Sequence, residues 1–181
     1  MASEEEADLI ARCLEGEVSA FEPLVDRYQK VLFNVALRMV RDYEEARDIT
    51  QNAFLKAFEK LGTYDRRHKF FSWIYRILVN ESLNALERRR PREALDPHLA
   101  AANGPLEAAC ASELSGRVQD ALMVLSPDHR LVVVLRHFVG YSYGEMAEAL
   151  AIPEKTVKSR LFTARQRLGE ILLARQATGT A

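Results

Sequence analysis

The 181-residue chain is poor in the residues that would announce a covalent or catalytic device. It has two cysteines, Cys13 and Cys110, far apart and in no CxxC or Cys/His spacing. That pattern supports neither a disulfide framework nor a zinc site, and it suits a reducing compartment. The four histidines, His68, His98, His129 and His137, are scattered without metal spacing. There is no GxSxG, no P-loop and no HExxH, so the common hydrolase, nucleotide and zinc-protease signatures are absent. Glu44 and Asp48 form an i,i+4 acidic pair, which on a helix reads as a solvated face. Neither an enzymatic activity nor a cofactor is expected. No apolar run reaches membrane-spanning length and the start lacks a basic-then-apolar signal, so the expected location is the cytoplasm, without membrane insertion.

A net charge of −1 is also a lack, but only as a total. The charges are segregated: "SEEEADL" is acidic, whereas "RRRPR" and "KTVKSRLFTARQR" are concentrated basic blocks. Local fields govern association with polyanions, so the near-zero sum leaves nucleic-acid binding open.

What is present is helical periodicity. Ser3 with Glu6 and Ser19 with Glu22 have capping-box spacing and place helix starts near 4 and 20. Further helices are expected at about 44–61, 70–90, 115–125, 128–138, 143–150 and 154–173. "LVVVL" sits inside a longer helical pattern (Leu131, Val134, Leu135, Phe138) and reads as helix, not strand. "PREALDPHLAAANGPLEAACAS" is rich in Ala and Pro and poor in large apolar residues, and it reads as a flexible linker. The fold expected is all-α: two helical domains, 1–90 and 114–174, a linker over 91–113 and a disordered tail over 175–181.

Three helix faces carry the functional reading. In "TYDRRHKFFSWIYRILVN", 100° steps put Phe71, Ile74, Tyr75, Leu78, Ala85 and Leu86 on a core side, with Trp73, Arg76, Asn80 and Asn84 opposite. An aromatic ring beside Arg and amides, entered through a basic loop, describes a platform for unpaired bases. A domain-interface tryptophan competes with that reading. In "EEARDITQNAFLKAFEKL", Ala46, Ala53, Phe54, Ala57, Phe58 and Leu61 form the buried side. Asp48, Gln51, Asn52, Leu55 and Glu59 lie opposite; composition alone favours a solvated face, and Leu55 is the one hint of a protein contact. In "YSYGEMAEALAIPEKTVKSRLFTARQRL", a short helix with Ala147 and Leu150, a turn at Ala151-Ile152-Pro153 and a longer helix give a helix-turn-helix. Val157, Leu161, Ala164 and Leu168 form its stripe. Lys155, Lys158, Ser159, Phe162, Thr163 and Gln166 lie opposite, flanked by Arg160 and Arg165. A major-groove helix would use Phe162 against thymine methyls and the cations on guanine edges or phosphate.

With these motifs in order, the chain resembles bacterial RNA polymerase sigma factors of the extracytoplasmic-function (ECF) class, over nearly its whole length. The resemblance runs from "AFEPLVDRYQ" through "ARDITQNAFLKAF" and "FFSWIYRILVN" to "TVKSRLFTARQRL". It implies a non-enzymatic transcription initiation factor that binds core RNA polymerase through the β′ clamp helices and β flap, and promoter DNA through −10 and −35 elements. Asp48, Gln51, Asn52 and Leu55 would meet the clamp. Tyr64, Arg66, Arg67, Lys69, Phe70, Trp73, Arg76, Asn80 and Asn84 would serve the −10 element. Lys155, Thr156, Lys158, Ser159, Arg160, Phe162, Thr163 and Arg165 would serve the −35 element. An anti-sigma factor is the further partner implied. Arg47, Asn52 and Thr163 depart from the residues usual in the family. The competing class is a polymerase-independent helix-turn-helix regulator, which leaves the Trp73–Asn80 face unexplained.

Overall fold

The computed structural model of the protein describes residues 4–95 and 113–178, without the side chains of 90–95, 113–115 and 175–178. Among the described residues eight α-helices follow one another: α1 (Glu4–Leu14), α2 (Glu22–Val40), α3 (Tyr43–Glu59), α4 (Phe70–Leu95), α5 (Glu113–Val124), α6 (Pro127–Val134), α7 (Tyr143–Leu150) and α8 (Glu154–Thr178). No strand occurs among the described residues. The all-α expectation holds, and "LVVVL" is helical: Leu131 to Leu135 are all buried. α4 runs on to Leu95, past the expected end at 90, and α8 continues to Thr178, into the stretch expected to be a disordered tail. Most of the expected linker lies outside the described residues.

The first domain forms because α2, α3 and α4 each present an apolar stripe to the others. Leu32, Ala36 and Met39 of α2, Ala46, Ala53 and Ala57 of α3, and Phe70, Ile74 and Leu78 of α4 are enclosed. The alanines of α3 let α2 and α4 approach closely. α1 is tied on by Tyr28, whose hydroxyl donates to Glu6 Oε1 at 2.5 Å; burial and that carboxylate raise the Tyr28 pKa.

α1 begins at Glu4, as expected, whereas the second expected start takes another form. Ser19 does not cap α2: its hydroxyl points to Glu17, at 3.4 Å. A short 3₁₀ turn over Val18–Phe21 feeds directly into α2, and Pro23 in the first turn needs no amide partner there. The Ser3–Glu6 box involves Ser3, outside the described residues. The side-chain caps observed are elsewhere. Asp42 accepts the Glu45 amide at 2.9 Å, and Ser142 and Glu145 form a reciprocal capping box on α7. Arg89 holds the α2–α3 corner, donating to Val40 O at 2.9 Å and pairing with Asp42 at 3.1 Å and Glu45 at 2.5 Å. Burial still raises the Glu45 pKa, against the pull of Arg89.

In the second domain α6 opens into a wider π turn, Leu135–Val139, ended by Gly140 at φ 82°. That left-handed conformation suits glycine. The widening changes the fate of Phe138, expected in the core stripe: it is 42% exposed. The guanidinium of Arg38, from the first domain, lies 3.6 Å from its ring centroid.

The two domains pack against each other along one seam. Tyr141 meets Phe71 edge-on at 5.9 Å and lies 6.0 Å from Tyr75. Gln119 Nε2 donates to Arg38 O at 3.2 Å, and Arg41 pairs with Asp120. Arg130, 4% exposed, donates to Leu122 O, Met123 O and Leu125 O at 3.0–3.2 Å and also to Met39 O. It thereby satisfies carbonyls at and just past the end of α5, together with one from the last turn of α2.

Candidate nucleic-acid interface

α8 is positioned by the turn before it. Ala151 ends α7 at φ 52°, Ile152 N returns to Ala147 O at 3.1 Å, and Pro153 precedes the first residue of α8. Val157, Leu161 and Ala164 then bury as one stripe, as the periodicity requires. The opposite face is open: Lys155, Lys158, Ser159, Phe162, Arg165 and Gln166 are exposed, Phe162 at 64%. Thr156, Arg160 and Thr163 are half-buried at its edges. Several cations have intramolecular partners. Lys158 pairs with Glu154 at 2.6 Å and sits 5.5 Å from the Tyr143 ring centroid. Arg160 pairs with Asp128 at 2.9 Å. Arg165 reaches His137 Nε2 at 3.4 Å; burial first, then Arg165 and Arg136, lower the His137 pKa, favouring the neutral acceptor.

On α4 the outward row is Arg76, Asn80 and Asn84, all exposed. Trp73 is half-buried instead of standing free. Its ring lies 5.3 Å from Tyr64 and 5.7 Å from Phe70, so one side leans on the bundle. Two candidates expected to touch DNA are core residues. Phe70 is 0% exposed because it heads the inward i,i+4,i+8 series with Ile74 and Leu78. Tyr64, 8% exposed, donates its hydroxyl to His68 O at 2.6 Å and so closes the loop before α4. These two rings pack against each other and against Trp73. The loop cations Arg66, Arg67 and Lys69 are exposed. Arg67 folds onto Asp65 at 2.5 Å, which holds the Asp65 carboxyl down at about 2.

α3 presents Asp48, Gln51, Asn52 and Leu55 outward, with Leu55 61% exposed. Gln51 and Leu55 line a groove of roughly 1300 Å³ between α3, α2 and the 3₁₀ turn. Its floor includes Phe21, Val25 and Phe54. Phe58, expected in the core, is at its rim, packing edge-on against Phe21 at 5.2 Å. Asp48 and Asn52 share the helix but do not line the groove.

The sequence reading missed Glu145 and Glu148 of α7. Lys69 Nζ meets Glu145 Oε1 at 2.7 Å, His68 Nδ1 meets Glu148 Oε1 at 2.8 Å, and Arg76 donates to Glu148 O at 2.7 Å. These contacts span more than 70 residues, so no local spacing announces them. Among the described residues no cluster of His, Cys, Asp and Glu could hold a metal ion, and no helix is long and apolar enough to cross a membrane.

Family comparisons match these two units in turn. Residues 24–92 match Sigma-70 region 2, and residues 115–168 match Sigma-70, region 4. A helical bundle of the first kind followed by a helix-turn-helix of the second defines a sigma-70-type initiation factor. The RNA polymerase sigma-H factor of Pseudomonas aeruginosa is 32% identical, covering 95% of this chain and 96% of its own. The ECF RNA polymerase sigma factor SigW of Bacillus subtilis is 31% identical over 88% and 92%. The solved structure of the sigma factor RpoE of Bartonella quintana, in complex with the anti-sigma factor NepR, has a TM-score of 0.66 at 27% identity. It covers 84% of this chain and 96% of that one. The chain belongs to the ECF sigma factors of the sigma-70 family and functions in transcription initiation.

Proposed function

We propose that the chain docks on core RNA polymerase through Asp48, Gln51, Asn52 and Leu55 of α3. It then directs the enzyme to promoters by reading a −35 element with α8 and a −10 element with α4 and its preceding loop. Lys155, Lys158, Ser159, Phe162 and Arg165 enter the major groove, while Thr156, Arg160 and Thr163 flank it. Trp73, Arg76, Asn80 and Asn84 receive unpaired bases, and Arg66, Arg67 and Lys69 hold phosphates. Tyr64 and Phe70 support that surface from within. The domains assigned to these tasks are 1–90 and 114–174. The chain acts by binding, in the cytoplasm, and not by catalysis of its own. An anti-sigma factor is a further partner, in line with the relative seen with NepR.

One observation carries the reading: Leu55 is 61% exposed at an apolar groove remote in sequence from the open recognition helix α8. A polymerase-independent regulator would use the groove for dimerisation or signal sensing, and would leave the Trp73–Asn80 face without a role. Opening about ten base-pair steps costs roughly 14 kcal/mol at ~1.4 per step. Two or three captured bases return only ~1–3 kcal/mol each. A second macromolecule must therefore supply the remainder, and the groove is where it attaches.

The test is run-off transcription with core enzyme on a promoter library, beside retention of the chain on immobilised core enzyme. Selective transcripts together with retention are expected. Tight sequence-specific duplex binding with no retention would instead establish the polymerase-independent regulator.

A further inference from the structure

Three cations of α8 differ in what holds them. Lys158 is paired with Glu154 at 2.6 Å and Arg160 with Asp128 at 2.9 Å, so a carboxylate neutralises each. Arg165 has no carboxylate partner among the described residues; its Nη2 meets Nε2 of His137 at 3.4 Å instead. A neutral imidazole accepts that hydrogen bond and takes no charge away. Arg165 follows Lys158 by two helical turns, so both lie on one exposed stripe with Phe162 between them.

His137 is itself exposed and reaches α8 from the π turn Leu135–Val139. The charged groups around it are cations. Arg165 faces it from α8. Arg136 precedes it in its own turn, donating to Tyr141 O at 2.7 Å and lying 5.3 Å from the Tyr143 ring centroid of α7. From α2, Arg38 stacks on the next side chain, Phe138. Past Arg130, which is buried against carbonyls, α6 carries no charge. The acids on the elements alongside are committed elsewhere: Asp128 to Arg160, Glu154 to Lys158, Glu145 to Lys69 and Glu148 to His68. Burial, then Arg165 and Arg136, hold the His137 pKa below its ordinary value, so in the free chain the ring is mainly neutral at pH 7.

Cations gathered without a carboxylate leave a place for an external anion. On protonation both nitrogens of the His137 ring become donors, and charge-assisted bonds to phosphate are about twice as strong as neutral ones. Duplex DNA lying along the Lys158–Arg165 stripe brings backbone phosphates to the edges of α8, where such contacts set register.

We propose that His137 and Arg165 form a site for one backbone phosphate beside the −35 element, with Arg136 behind it, and that His137 holds the phosphate as imidazolium. The inference rests on the reading that α8 enters the major groove of duplex DNA. Binding then takes up one proton from solvent, and the affinity of the chain for duplex rises as the pH falls.

The test uses the full chain and a fluorescent 20-base-pair duplex of mixed sequence, in anisotropy titrations at fixed salt from pH 8 to 5.5. His137→Gln keeps an acceptor for Arg165 and cannot be protonated. The other three histidines and every carboxylate are common to both proteins and cancel in the ratio. His137 and Arg165 are exposed, so their variants should fold, as circular dichroism will check. The ratio of parent to His137→Gln affinity should rise about fivefold from pH 8 to 5.5, as for a protonated form that binds about tenfold tighter. The Cε1–H resonance of His137, identified by its loss in the variant, should titrate about one pH unit higher with duplex present. Arg165→Gln should weaken binding at every pH.

A ratio independent of pH and an unmoved resonance, while Arg165→Gln weakens binding, would overturn the phosphate site and leave the duplex-reading face of α8 standing. Indifference of the duplex to both Arg165→Gln and Lys158→Ala would remove the −35 assignment of α8, and the phosphate site with it.

Discussion

Truncating Trp73 to alanine removes a ring leaning on Tyr64 and Phe70 while its other side faces outward. Full burial would make such a truncation cost ~3–5 kcal/mol; a half-buried ring should forfeit about 2. Stability and promoter opening therefore both fall, and only a second substitution separates them. Trp73→Phe keeps most of the packing and part of the stacking surface, so urea denaturation should be near wild type while abortive transcription stays reduced. Retention on core enzyme should be unchanged in both, and normal abortive synthesis by Trp73→Ala would exclude a base-stacking role. Lys158 presents a simpler case, because its partner Glu154 and its neighbour Tyr143 lie in its own domain and it is exposed. Lys158→Ala should weaken binding to promoter duplex. If it contacts phosphate, the slope of log affinity against log salt should shrink by about 0.9. An unchanged slope with relaxed base preference would instead place Lys158 on a base edge.

At the scale of elements, the helix-turn-helix owes its corner to Ala151 in a left-handed conformation. That conformation costs an L-residue ~1–2 kcal/mol, of which glycine would recover part after its own greater chain entropy, ~0.5–1 kcal/mol. Ala151→Gly should therefore stabilise the protein by about 0.5 kcal/mol in urea or thermal denaturation; a loss would mean that the Ala151 methyl packs usefully. The helices themselves were legible in sequence because each buries one stripe: 74, 78 and 85 on α4, or 157, 161 and 164 on α8, fall where 3.6-residue periodicity puts them. Periodicity is blind to what interrupts it. Phe138 left the expected stripe because a π turn shifts register, and Phe58 moved to a rim because it lines the open groove between α2 and α3. The family resemblance put Tyr64 and Phe70 on the −10 surface, whereas their depth follows from packing beneath α4 and its loop. The Ser19–Glu22 spacing satisfied the capping rule, but the chain enters α2 through a 3₁₀ turn and a proline instead.

For the molecule as a whole, the seam between domains had no signature in sequence. Its contacts join residues many tens of positions apart, through carbonyls that every residue possesses. Arg130 shows what this means energetically. A guanidinium has five donors in a fixed fork and stays charged at any working pH. Here it serves three carbonyls around the end of α5 and one from α2 of the other domain. Arg130→Met preserves the apolar stem, relieves the burial of a charge, and leaves those carbonyls short of a partner at ~1–3 kcal/mol each where water does not replace it. A net loss of about 3 kcal/mol is expected. Because one acceptor belongs to the first domain, the loss should also uncouple the halves: a single calorimetric transition in the parent protein should broaden or split, the second domain melting earlier. Arg130→Lys should restore only part of the stability, since an ammonium cannot span acceptors spread across two helix ends. A parent-like, single transition in Arg130→Met would mean that the seam is held by the aromatic contacts of Tyr141 with Phe71 and Tyr75. The guanidinium would then be no more than the cap of α5.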